Sequence, residues 1–145
     1  MRKAIGFKVL LFMFVLAIFI PLQACQEDAF EKNVYSTISS VATAYDEILT
    51  LAAEKKVKGE ITEEQWNSIS AKAIKLSAAG ASLSIIMADY KRALENNEEA
   101  DPARARVTAA MFTVVENYRD IVSLMETVGY KDAEIPKIKI PEEEK

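Results

Sequence analysis

Across residues 63–96 the apolar residues recur with a period that fits one regular structure. Trp66, Ile69, Ala73, Leu76, Gly80, Leu83, Met87, Tyr90 and Leu94 follow at alternating steps of three and four. That spacing lines one face of an α-helix and forms a seam for neighbouring helices, whereas a half-buried strand would alternate every second residue. The start is punctuated as clearly. Thr62 and Gln65 have the spacing of a capping box, Ile61 and Trp66 occupy the hydrophobic-staple positions, and Glu63 and Glu64 suit the positive end of the helix dipole.

The same reading extends to both sides. Phe30, Val34, Ile38, Val41, Tyr45, Ile48 and Ala52 predict a first helix over 29–58, with Asp28 as its N-cap and Glu31 as capping-box partner. Lys55, Lys56 and Lys58 suit its negative end, and Gly59 its left-handed stop. A third helix over 102–128 opens at Asp101-Pro102 and carries Val107, Ala110, Met111, Val114, Tyr118, Ile121, Met125 and Val128 up to Gly129. The expected fold is therefore all-α: an antiparallel three-helix bundle over 25–130.

Two stretches leave alternatives open. Ser77–Ser82 is a run of small residues around Gly80, and an interior glycine costs about 1 kcal/mol against alanine. Close packing of a neighbouring helix is the expected offset, because the stripe keeps its phase; a kink or an open face for a partner helix are the alternatives. The tail, 131–145, alternates Ile135, Ile138 and Ile140 with lysines between two prolines, which predicts an extended segment. It is expected to lie as a strap along the bundle rather than to offer a strand to a partner, with 142–145 solvated.

The beginning of the chain is of another kind. Arg2 and Lys3 precede a continuous apolar run, Val9–Ile20, of 12 residues. A membrane span needs about 20, so the run suits a signal-peptide core over 1–24 better than a retained helix. Leu22-Gln23-Ala24-Cys25 then resembles the lipobox of bacterial lipoproteins: an aliphatic residue, a variable one, a small one, and cysteine. Gln23 is a less usual residue at its place. The resemblance implies that Cys25 receives a diacylglycerol, that signal peptidase II cuts before it, and that acyl chains such as palmitate anchor the mature chain. Gln26 in place of Asp after the cysteine implies sorting to the periplasmic face of the outer membrane, if the organism has two membranes. Gly59–Trp66 also resembles a helix start found in small helical lipoproteins of bacteria and prophages, to which no activity is assigned.

Composition narrows the chemistry. The chain has one Cys and no His, so an internal disulfide, a His-dependent triad and the usual zinc and copper ligand sets are excluded. Removing the three cations of residues 1–24 leaves 15 basic residues against 22 acidic ones, about −7. That balance disfavours nucleic acid and adhesion to anionic lipid alike. Ser68 and Lys72 could touch across one helical turn, yet both belong to a polar face where nothing would depress the lysine pKa. Neighbouring carboxylates such as Glu63 and Glu64 read as a solvated face. No catalytic residue, metal or cofactor is expected.

The functional expectation is a membrane-anchored envelope lipoprotein acting without catalysis, as a structural or protein-interaction module. An envelope protein partner would meet Trp66, Lys55 and Lys56 at the bundle end near Gly129, or Arg104 and Arg106 at the start of the third helix. Pairing of these arginines with Glu95, Glu98 or Glu99 is the simpler account of their place at a positive helix end. Self-association through the Ala- and Ser-rich helix 2 is open. The alternative function is a small-molecule or lipid-binding bundle with a cavity lined by Met87, Met111, Tyr45 and Tyr118.

Overall fold

The computed structural model describes the backbone of residues 3–96 and 98–140, and side chains from 28 onward within that range. The expected signal core Val9–Ile20 and the Leu22-Gln23-Ala24-Cys25 motif lie outside the described side chains, and 142–145 lie outside the described residues. Among the described residues there are three α-helices, α1 (Lys3–Val57), α2 (Glu63–Glu95) and α3 (Ala100–Thr127), followed by a 3₁₀ turn, Asp132–Glu134. No strand occurs among the described residues. The chain divides into two compact units, Met1–Asn33 and Val34–Lys145. The bundle is the second.

The helix ends show which local signals prevailed. Thr62 Oγ1 accepts from the Gln65 N–H at 3.1 Å while the Thr62 N–H donates to Gln65 Oε1 at 2.7 Å, so the capping box is complete. Gly59 and Gly129 take φ of +72° and +88°, the left-handed region that lets a helix stop without a Cβ clash.

Two expected starts are corrected. Asp28 is not an N-cap, because α1 passes through it; Leu22 to Glu27 contains helix formers and no breaker, so the chain does not leave helical geometry there. The third helix begins at Ala100 with Glu99 as N-cap, and no side-chain cap bond forms. Pro102 falls at the third helical position, still within the first turn, where its missing N–H forfeits no intrahelical bond.

The core follows α2 closely. Ile69, Ala73, Leu76, Gly80, Leu83, Met87 and Tyr90 are all buried, while Trp66 and Leu94 are half-buried at the ends. On α3 the buried set is Ala103, Val107, Val114, Tyr118, Ile121 and Met125. On α1 the innermost line is Val34, Thr37, Val41, Ala44, Ile48 and Ala52, whereas the larger Ile38 and Tyr45 stand half-buried at its flank. Val41 on that line meets α2 at Gly80. A Cβ on Gly80 would lie 2.8 Å from Val41 Cγ1, and α2 runs unbroken through the small-residue run, so close approach rather than a kink offsets the glycine.

The tail closes the bundle. Tyr130, Ile135 and Ile138 are buried. The Thr37 hydroxyl donates to the Lys139 carbonyl at 2.7 Å, and the Lys139 N–H donates to Ser40 Oγ at 2.8 Å. Both backbone groups of one tail residue are thus held by α1 side chains, and the tail is a strap rather than a strand on offer.

Candidate functional site

One end of the bundle collects Lys55, Lys56, Trp66 and Gly129. Lys55, in the last turn of α1, directs its ammonium to the end of α3, 3.5 Å from the Val128 carbonyl and 3.4 Å from that of Gly129. It also lies 4.1 Å from the Tyr130 ring centroid and 4.0 Å from Glu60 Oε2. A cation is favoured there twice, by the negative end of the α3 dipole and by the aromatic face. Lys56 pairs with Glu63 at 2.8 Å and sits 5.2 Å from the Trp66 ring. These contacts fasten the α1–α2 turn to the α3 end and leave Trp66 half-exposed beside them.

Arg104 and Arg106 are elsewhere. Both are exposed near the start of α3, about 35 Å along its axis from Gly129. The five residues proposed as partner contacts therefore form two separate regions.

The Ser68–Lys72 pairing does not form. Lys72 reaches across to α3 and donates to Asp120 Oδ2 at 2.5 Å, which holds that carboxyl below its ordinary value of 3.8. At the strap, Lys137 pairs with Asp132, and this hydrogen bond raises the lysine above 10.5.

Surface grooves lie outside the helical core. One of about 610 Å³ runs between α1 and the strap, lined by Asp46, Glu47, Thr50, Leu51, Ile135 and Lys137. Another, about 410 Å³, lies on the outer side of α3 among Met111, Phe112, Val115, Arg119 and Ile140. The residues expected around a ligand cavity are distributed differently. Met87 is fully buried, Met111 lines the second groove, and Tyr118 borders a third with Val122, Ser123 and Ile138. The Tyr118 hydroxyl is engaged by the strap, donating to the Pro136 carbonyl at 3.1 Å.

The sequence leaves an open face and self-association through helix 2 as alternatives, but it does not single out the large apolar residues that stand exposed. Ile74 and Ile85 on α2 are 58% and 66% exposed, and Phe112 on α3 is 60% exposed. A second set of three–four steps in α2 carries the signal, masked by the stronger buried seam. Among the described residues, no group of three or more His, Cys, Asp or Glu side chains is arranged to hold a metal ion. No family model matches the chain, and no match was found among curated proteins or solved structures.

Proposed function

We propose that the chain is a lipid-anchored protein of the bacterial cell envelope, acting as a structural or protein-interaction module without catalysis. The observation that carries this reading is Leu22-Gln23-Ala24-Cys25 directly after an apolar run too short to span a bilayer. Two or three acyl chains on Cys25 exceed the threshold that a single chain barely reaches, since each buried methylene contributes about 0.8 kcal/mol. An acidic mature chain requires such an anchor, because its charge repels anionic headgroups. In an organism with two membranes, Gln26 directs it to the periplasmic face of the outer one. Eight residues, 26–33, separate Cys25 from the bundle unit that begins at Val34, so the sequence supplies no long linker for reaching a distant partner.

The end formed by Lys55, Lys56 and Trp66 is the face offered to an envelope protein. Its support is the half-exposed indole beside two lysines, one of them 5.2 Å from its ring and paired with Glu63, since aromatic anchors dominate interfaces.

Intact mass of the protein extracted from its native membrane tests the anchor. The expected species begins at Cys25 and carries acyl chains, and Cys25→Ala abolishes both changes. A full-length, unacylated mass sinks the reading and turns attention to a retained Val9–Ile20 helix. Photo-crosslinking from position 66 in cells then tests the partner face. One defined adduct, lost on Lys56→Glu, is expected; labelling without a defined adduct opposes it.

A further inference from the structure

The side of α2 that faces away from the bundle repeats the periodicity of the side that faces in. Ala71, Ile74, Ala78, Ala81, Ile85 and Ala88 step by three and four, and all six are exposed. At 100° per residue they occupy a stripe about 100° wide, on the opposite side of the helix from buried Ile69, Ala73, Leu76 and Gly80. An isolated exposed isoleucine needs no explanation, but two set among four alanines at seam spacing make a second packing face about 26 Å long.

The order along this face selects its occupant. It reads Ala-Ile-Ala-Ala-Ile-Ala, the same in both directions about the midpoint between Ala79 and Gly80. We propose that α2 packs antiparallel, about a two-fold axis at that midpoint, against α2 of a second copy of this chain. Ala71 then faces Ala88 of the second copy, Ile74 faces Ile85, and Ala78 faces Ala81. Each large side chain has small neighbours to close over it, and the alanines at the centre let the helix axes approach closely. An isologous contact of this kind needs one self-complementary patch, which the palindrome provides.

Charge agrees with the same register. One rim repeats every seven residues as Ser68, Lys75, Ser82 and Asp89; the other carries Ser70, Ser77 and Ser84. Antiparallel pairing brings Lys75 within about 8 Å, along the axis, of Asp89 in the second copy, whose carboxylate also holds Arg92 of its own helix at 3.0 Å, and the Cα–Cβ bonds of Lys75 and Asp89 lean toward one another. Beyond the apolar layers Arg92 lies opposite Asn67 and within a turn of Glu64, while Glu64 and Glu95 share a level on opposite rims of the face. Each of these contacts occurs twice.

A lipid surface is the competing occupant, since α2 is long and apolar enough by length and composition to cross a membrane. Lipid would use the isoleucines, but it has no use for the palindrome. The rims also lack the basic residues of an interfacial helix, being serines with one lysine and one aspartate.

The test uses the full chain, extracted in mild detergent from cells co-expressing differently tagged Ile74→Cys and Ile85→Cys forms. After oxidation, peptide mass spectrometry should find the 74–85 disulfide several-fold over 74–74 and 85–85, whose positions stand about 16 Å apart along the axis in this register. A second variant, Ile74→Glu with Ile85→Glu, should halve the protein mass measured by light scattering without loss of helical circular dichroism. Predominant 74–74 and 85–85 products, or a dimer that survives both glutamates, overturn the proposal. It is also overturned if the unsubstituted chain is monomeric, and the face is then assigned to lipid if a Cys25→Ser form binds phosphatidylcholine vesicles in an Ile74- and Ile85-dependent way. None of these readouts needs acylation of Cys25, so their failure leaves the anchoring reading standing.

Discussion

Gly80 on α2 and Val41 on α1 stand so close that a methyl group on the glycine would lie 2.8 Å from Val41 Cγ1 and 3.4 Å from its Cβ. Val41 is 2% exposed and β-branched, so it has little freedom to turn aside. Gly80→Ala gains about 1 kcal/mol of helix propensity and incurs overpacking of about 2 kcal/mol. The expected net effect is destabilisation by about 1 kcal/mol in urea unfolding. Val41→Ala vacates the space the new methyl needs, so the double variant should be more stable than the sum of the single effects predicts, by at least about 1 kcal/mol. A stabilised Gly80→Ala would show that the helices are not in contact at that level.

Thr62 carries the start of α2. Its side chain satisfies the Gln65 N–H, and Gln65 Oε1 accepts from the Thr62 backbone N–H, so Thr62→Ala leaves the Gln65 N–H without its partner while both groups of the returning bond remain. A loss of about 1 kcal/mol is expected, with Thr62→Ser close to the original and Thr62→Asn no worse. Hydrogen exchange should localise the effect to the first turn of α2. Equal exchange throughout the helix would mean that the buried Ile61 rather than the cap sets the start.

The bundle was legible in the sequence where pattern and punctuation agree. The α2 seam and capping box, and the glycine stops at 59 and 129, are local properties that tertiary contacts had no reason to override. Asp28 and Asp101 show the limit of that logic. A capping residue caps only where the chain enters the helix at that residue: α1 already runs through Asp28, and α3 starts one residue ahead of Asp101, at Ala100. The Thr37–Lys139 and Tyr130–Leu51 bonds were beyond reach, because each joins residues far apart in sequence through groups that are common on helix surfaces. The exposed stripe from Ala71 to Ala88 was present in the spacing. Periodicity allows an open face on helix 2 without selecting this stripe, because alanine carries little hydrophobic signal, and because a helix packed on two sides cannot be told from one packed on a single side until burial is known. The Leu22–Cys25 motif is a chemical address, read by matching residues rather than by packing.

Acid should release one cross-helix tie. Lys72 donates to Asp120 and holds its carboxyl below 3.8, so the folded chain releases that proton more readily than the unfolded one. The contribution is present above about 3.8, the ordinary value, and is lost as the pH falls through the lower folded value. Asp120→Asn removes the titration. The stability gap between original and variant should therefore be constant near neutrality and close as the solution becomes strongly acidic. Because the pair lies at the surface, added salt should narrow the gap as well. A gap that persists unchanged at low pH would place the effect of the substitution outside this ion pair.

Alkali should act on the strap. Tyr118 donates its hydroxyl to the Pro136 carbonyl and Tyr130 donates to the Leu51 carbonyl at 2.7 Å; burial pushes both phenols above 10.0. The folded chain thus keeps protons that the unfolded chain gives up. Stability is full below about 10 and declines as the pH rises through the higher folded values. Tyr118→Phe and Tyr130→Phe should each lose about 1 kcal/mol near neutrality, because each leaves a carbonyl short of a donor. That deficit should shrink above pH 10.0, where the original hydroxyls become a liability and phenylalanine does not. Tyrosinate absorbance should show a late-titrating component in the folded chain that disappears in the double variant and on unfolding in urea. A double variant with the same alkaline profile as the original would mean that the strap leaves the helices before either phenol ionises.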